Sequence, residues 1–289
     1  MFKNPWCGLY SVQRFGTPLL PDRNIPRGCR SVGRAQSGAV STPPDPAVLY
    51  PDVAACGGLA AALRAAADGR LDSVLAASPD SASMTYAVVA STLPHREPLR
   101  ISAGTYERRW SIRGEEAFQG LCLIDGDTDD LAQVARAARA WHDGDALDDI
   151  RRAAPFAHPT GRFEVPDLDP VRLVEAEWQG MLLEAGELEY SWREQYQALV
   201  EAAYAEPALR ALYPFTSHWA LRFSSTTRPS LTFGSPCLSA GGDGTYGVGT
   251  GFITPNLGVF TTAAEAAALA VRHLPTGFGP VTLGRPLEP

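Results

Sequence analysis

The order of the predicted elements constrains the fold of this chain more than any single motif does. A long helical region, residues 171–213, separates two groups of short strand-like segments. Apolar residues recur at helical spacing through this region, and Pro207 interrupts it. The strand-like segments on either side are divided by proline, glycine and charged turns. We therefore expect an α+β fold of two antiparallel-sheet-plus-helix units joined by a long helical segment.

The predicted elements fall into two comparable halves. In the first half we expect helices over 52–69 and 127–144, with strands over 85–92, 98–104, 107–114 and 118–126. In the second half we expect strands over 218–225, 229–234, 244–252 and 257–260, followed by a helix over 261–275. The pattern W-x-[IL]-R occurs once in each half, at Trp110 and at Trp219. This repetition suggests a pseudo-duplication.

Three regions follow from the composition. Residues 1–46 are rich in proline, and six basic residues against two acidic ones give them a net charge of +4. We expect this region to be a disordered or over-called N-terminal extension, with a basic partner-binding arm as the alternative. Residues 47–160 form the N-terminal α+β unit, and residues 161–289 form the helical linker with the C-terminal α+β unit.

Charge and composition exclude several classes of function. A net charge of −7 and a sequence pI near 5.3 argue against a nucleic-acid-binding surface. The sequence contains no run of eighteen or more apolar residues, so we expect no membrane span. The five cysteines are scattered and never at CxxC spacing, which favours a reduced cytoplasmic protein.

Local motifs predict neither a cofactor nor a metal. Residues 242–247 match G-x-G-x-x-G, but more strand-like sequence follows, so Asp243-Gly244 is interpreted as a hairpin turn. The five histidines show no metal-ligand spacing, and His95 and His158 each neighbour a proline and are predicted to lie in loops.

The segment FTSHWALRFSSTTRP, 215–229, carries the candidate site. If it is a strand, its side chains alternate between two faces. Trp219, Leu221 and Phe223 then face the core, and the residues between them form a polar face. That face supplies the ligand-binding candidates, with Arg113 added from the strand that carries the first W-x-[IL]-R; together they are His218, Arg222, Ser224, Thr226 and Arg113. His218 is also the catalytic candidate. The alternative is an ordinary solvated sheet face.

Several long motifs resemble an uncharacterised family from high-GC bacteria that is described only as natural product biosynthesis proteins. These motifs are RRWSIRG (108–114), DLAQVARAARAWHDG (130–144), AAPF with TGRFEV (153–165) and AEPALRALYPFTSHWALRFSSTTRP (205–229). The resemblance covers most of residues 50–284. It implies a role near secondary-metabolite pathways and names no reaction or catalytic residue.

Three functions remain open at the level of the sequence. The first is an accessory or binding protein that holds a pathway intermediate, a precursor peptide or a partner enzyme. The second is a cofactor-independent enzyme of the cyclase or isomerase type, in which His218 acts as the acid/base and Arg222 binds an anion. The third is an immunity or interaction protein that works through protein contacts alone.

Overall fold

The computed structural model describes residues 42–71, 74–76, 84–234, 236–250 and 254–285, with only the backbone described for residues 74–76. Most of the predicted N-terminal extension, residues 1–46, therefore lies outside the described residues. The described residues from Asp45 onward form one compact unit that contains two antiparallel sheets. The predicted α+β class with two sheet units is confirmed.

The first sheet is a meander, with strands β1 to β6 in sequence order. Its strands are β1 (Val74–Ala76), β2 (Tyr86–Val89), β3 (Leu99–Ala103), β4 (Trp110–Glu115), β5 (Cys122–Thr128) and β6 (His158–Pro159). The helices of this half are α1 (Pro46–Leu49), α2 (Pro51–Ala55), α3 (Leu59–Ala66), α4 (Leu131–Asp143) and α5 (Leu147–Ala153). His158 thus lies in a short strand and not in the predicted loop.

The second sheet is also a meander, in the order β7 to β11. Its strands are β7 (Tyr213–Ser217), β8 (Ala220–Ser224), β9 (Cys237–Ala240), β10 (Tyr246–Gly249) and β11 (Gly258–Phe260). The helices of this half are α6 (Pro170–Glu187), α7 (Arg193–Ala205), α8 (Pro207–Arg210) and α9 (Ala263–Arg272). The predicted turn at Asp243-Gly244 joins β9 to β10, where Gly244 has a φ of 82°.

Each sheet packs its own apolar core. The core of the first half includes Trp110 and Trp141, and that of the second includes Trp178 and Phe223, all fully buried. A small third cluster, formed by Val165, Leu173 and Ala176 with Phe118 packed against it, joins the β4–β5 hairpin to α6. The boundary between the two units at residue 160 stays a prediction.

Several helices begin or end at residues that can cap them. The Asp130 carboxylate accepts a hydrogen bond from the backbone N–H of Ala132 at the start of α4, and Gly144 ends the helix in a left-handed conformation. Thr262 accepts from the N–H of Glu265 at the start of α9, as the capping-box spacing predicts. The single helix predicted over 52–69 is wrong, because the chain turns at Gly57 and Gly58, whose φ angles of 81° and 136° end α2 before α3 begins.

None of the helices in the described part of the chain is long and apolar enough to cross a bilayer.

Candidate functional site

The strand predicted to begin at His218 begins two residues later. His218 and Trp219 form the turn between β7 and β8, and both have positive φ angles, 52° and 63°. Two-residue hairpin turns adopt such angles because their twist matches that of the paired strands. His218 is therefore exposed at the tip of a hairpin, and the two Trp residues of the W-x-[IL]-R patterns are not equivalent, since Trp110 is a buried residue of β4.

Arg222 lies on β8 directly opposite Phe215 of β7. Its guanidinium carbon is 5.5 Å from the ring centre of Phe215 and 5.1 Å from that of Phe233. Cation–π contacts of this kind stabilise a partly buried arginine. Arg222 is thus held by aromatic rings, while His218 lies at the hairpin tip.

Ser224 and Thr226 organise the loop that follows β8. The Ser224 hydroxyl donates to the carbonyl of Thr226 at 2.7 Å and accepts from the N–H of Thr232 at 2.9 Å. The Thr226 hydroxyl donates to the carbonyl of Ser230 at 2.7 Å. These bonds satisfy buried polar groups, so both side chains have a structural role.

Arg113 lies in the other sheet, on β4. It forms an ion pair with Glu115 at 2.5 Å, and Arg100 on β3 binds the same carboxylate. None of the five sequence-predicted candidates is among the described residues that line a cavity between the β4–β5 hairpin and α6. The structure therefore does not bring these five side chains together around one cavity.

The cavity between the β4–β5 hairpin and α6 has a volume of about 390 Å³. Its apolar walls include Phe118, Leu121, Phe163, Leu168 and Leu173. Its polar lining consists of His95, Glu116, Gln119, Arg162, Glu164 and Glu177. Apolar walls with a few polar groups are typical of small-molecule sites.

His95, Glu164 and Arg96 form a hydrogen-bonded group at the wall of this cavity. The His95 Nε2 atom is 3.0 Å from Glu164 Oε1, and Arg96 donates to both oxygens of that carboxylate. The Arg96 side chain is fully buried over the Trp141 ring. Burial alone would raise the pKa of Glu164, but the hydrogen bonds and charge of Arg96, together with the charge of His95, lower it. Glu164 is therefore a carboxylate that orients His95.

A second ion pair joins Arg162 to Glu177 on α6, at 2.7 and 3.0 Å. Burial disfavours the charge of Arg162, but the neighbouring Glu177 carboxylate raises the pKa of Arg162 overall. The helix accommodates Arg162 at Gly180, where a Cβ atom would lie 2.7 Å from Arg162 Cγ. The pair fixes the segment 162–164 against α6.

Glu116 and Gln119 complete the cavity at the β4–β5 turn. The Glu116 carboxylate accepts from the N–H groups of Phe118 and Gln119 at 2.9 and 2.5 Å, and burial nonetheless raises the pKa of Glu116. Gln119 Oε1 is buried and accepts no hydrogen bond from any described residue. A buried acceptor of this kind is suited to a ligand that donates.

A family of unknown function (DUF6193) matches residues 172–285. The match contains His218, Arg222, Ser224 and Thr226, but most residues that line the cavity precede it. No curated protein and no solved structure matches the chain. The description of the matched family names no activity, and the link to natural product biosynthesis stays a prediction.

In the described part of the chain, His, Cys, Asp and Glu side chains form no group of three or more that could hold a metal ion. We did not predict the cavity from the sequence. Three of its polar residues nevertheless lie beside proline or phenylalanine: His95 in PHREP (94–98), and Arg162 and Glu164 in GRFEVP (161–166).

Proposed function

We propose that this protein binds a small, mostly apolar molecule that carries at least one hydrogen-bond donor, in the cavity beside His95. The observation that carries the proposal is the cavity itself, with apolar walls and a cluster of fixed polar groups. Its volume of about 390 Å³ lies within the range of roughly 300–1,000 Å³ typical of ligand sites. The resemblance noted in the sequence would make this molecule an intermediate of a secondary-metabolite pathway in the cytoplasm.

The charge of the lining restricts the ligand. Three carboxylates, Glu116, Glu164 and Glu177, face the cavity with Arg162 as their counter-charge in the lining, and Arg96 lies behind Glu164. An anionic ligand would meet an unfavourable potential, whereas a cationic donor would be attracted and a neutral donor would not be repelled. The buried oxygen of Gln119 supplies an acceptor for such a donor.

Binding of a neutral fluorescent amine, N-phenyl-1-naphthylamine, tests this proposal. We expect one saturable site on the wild-type protein and its loss in Ala176→Phe, because Ala176 lines the cavity and a phenyl ring would fill it. Ala132→Phe is the matched control, since Ala132 is an exposed alanine of α4. Equal binding by the wild type and Ala176→Phe would overturn the proposal.

The pair formed by His95 and Glu164 favours a second candidate, a cofactor-independent enzyme. When His95 Nε2 donates to Glu164, its Nδ1 atom carries a lone pair and can act as a base. This arrangement supports the enzyme hypothesis better than His218 and Arg222 do. Incubation with a metabolite extract, followed by mass spectrometry, separates the two functions. If the protein is an enzyme, the wild type depletes one compound and His95→Ala does not. If it is a binding protein, neither depletes any compound.

A further inference from the structure

Four aromatic rings pack together where the α6–α7 connection meets the β7–β8 turn. The Tyr190 and Trp192 rings are stacked with centres 5.2 Å apart, and Trp219 packs edge-on to both, at 5.7 and 5.2 Å. Tyr196 of α7 contacts Trp192 and Trp219 at 5.8 Å. The cluster therefore has a fixed geometry built from two separate parts of the chain.

Three of the four rings of this aromatic cluster reach the surface, while Tyr196 is buried. Tyr190 is 46% exposed, and Trp192 and Trp219 are half-buried, whereas Trp110, Trp141 and Trp178 are completely buried in the two cores. Trp219 also holds a φ of 63°, which is unfavourable for a bulky residue. The chain thus keeps large aromatic rings at its surface at a conformational cost.

Acidic residues lie next to the aromatic cluster along the chain. Four exposed glutamates lie on the α6–α7 connection and on the two helices that flank it: Glu184, Glu187, Glu189 and Glu194. The exposed cation Arg193 lies among them. Burial, with a smaller contribution from the Glu184 charge, raises the pKa of Tyr196, and burial also raises the pKa of Glu184 itself. The attraction for a cation therefore comes mainly from the exposed Glu189 and Glu194. His218 adjoins Trp219 in the turn.

We propose that this aromatic–acidic patch binds a basic peptide segment of a partner protein, with arginine or lysine side chains against Tyr190 and Trp192. The face of an aromatic ring attracts a cation, and tryptophan attracts it most strongly. The neighbouring carboxylates attract the same charge and repel an acidic segment. None of the patch residues lines the cavity, so each proposal can fail without the other.

Titration with a ten-residue peptide of alternating arginine and glycine tests the inference. Fluorescence of Trp192 and Trp219 reports on binding, and calorimetry measures the affinity. We expect saturable binding that weakens as salt is added, and no binding of the matching glutamate peptide. Tyr190→Ala should weaken the affinity about threefold, which is the size expected for one cation–π contact at an exposed site.

Two matched controls separate a specific site from general attraction to an acidic protein. Tyr106→Ala removes an exposed tyrosine elsewhere, and Glu107→Gln with Asp148→Asn removes two exposed carboxylates elsewhere. These variants should bind as the wild type does, while Glu189→Gln with Glu194→Gln should weaken binding about threefold. The inference is overturned if the patch variants and the control variants lose affinity equally, or if none of them does.

Discussion

Arg96 and Glu164 lie 68 residues apart in the sequence and form a two-pronged ion pair, with Arg96 Nε 2.6 Å from Oε1 and Nη2 2.8 Å from Oε2. The pair connects the turn before β3 to the segment before α6. Arg96 Nη2 also donates to the carbonyl of Asp145 at 2.8 Å. Because Glu164 in turn contacts His95, the position of the histidine depends on an arginine that does not itself line the cavity.

Replacing Arg96 should destabilise the protein markedly. Arg96→Leu leaves the Glu164 carboxylate without its main partner, and removal of one member of a buried pair costs about 3–5 kcal/mol. Since Glu164 is 19% exposed, we expect a loss near the lower end, about 3 kcal/mol, in the free energy of unfolding measured with urea. Arg70→Leu is the control, because the Arg70–Asp68 pair is largely exposed, and it should cost less than about 0.5 kcal/mol. Similar losses in both variants would contradict this account.

The same pair should make stability depend on pH. Folding lowers the pKa of Glu164 below its ordinary value of 4.5. A carboxyl group with a lowered native pKa contributes stability that is complete above its unfolded-state pKa and is lost as the pH falls through the native pKa. We therefore expect the difference in unfolding free energy between the wild type and Glu164→Gln to be largest near about pH 6 and to shrink below about pH 4. A difference that stays constant over this range would show that Glu164 is not the titrating group.

The order of the elements and their strongest local signals were sufficient to predict the fold class. The separation of two strand groups by a long helical region predicted the two sheets, and the helices predicted over 127–144 and 261–275 are found as α4 and α9. Short strands were harder to find. Strand β7 contains Pro214 and lies at the edge of its sheet, where proline is tolerated. The segment 229–234, predicted as a strand, forms part of a loop tied together by Ser224 and Thr226.

The candidate site was less predictable because it depends on contacts between distant residues. The alternation used to place His218 and Arg222 on one face assumed that His218 lies in a strand, and the positive φ angles of a turn cannot be seen from apolar spacing. The cavity depends on the Arg96–Glu164 and Arg162–Glu177 pairs. Nothing in the spacing of these charged residues indicates which of them pair.

Two glycines of α6 should respond oppositely to the same substitution. At Gly180 a Cβ atom would lie 2.7 Å from Arg162 Cγ, whereas nothing lies within 4 Å of a Cβ at Gly186. Gly186→Ala should raise the free energy of unfolding by up to about 1 kcal/mol, because alanine favours helix over glycine. Gly180→Ala should lower it by about 1–2 kcal/mol, because the Arg162–Glu177 pair must shift. Thermal unfolding followed by circular dichroism measures both, and a gain in both variants would show that Arg162 moves aside freely.

The turn formed by His218 and Trp219 allows a direct test of whether His218 serves function or only structure. Both residues adopt positive φ angles, and two-residue hairpin turns with such angles prefer asparagine, aspartate and glycine. His218→Asn should therefore raise the free energy of unfolding by less than about 1 kcal/mol, the lower limit of the cost of a strained backbone position. Thr216→Asn, at an exposed position of β7, is the control and should give no gain, since a strand does not favour asparagine.

The variant His218→Asn also tests whether the hairpin tip contributes to either of the two proposed sites. His218→Asn should leave binding of N-phenyl-1-naphthylamine unchanged, because His218 does not line the cavity. It should also leave the affinity for the arginine peptide within about twofold of the wild type, since Trp219 keeps its contacts with Tyr190 and Trp192. If His218→Asn instead abolished depletion of a metabolite that His95→Ala still depletes, the acid/base role would belong to His218 and the cavity would not be the catalytic site.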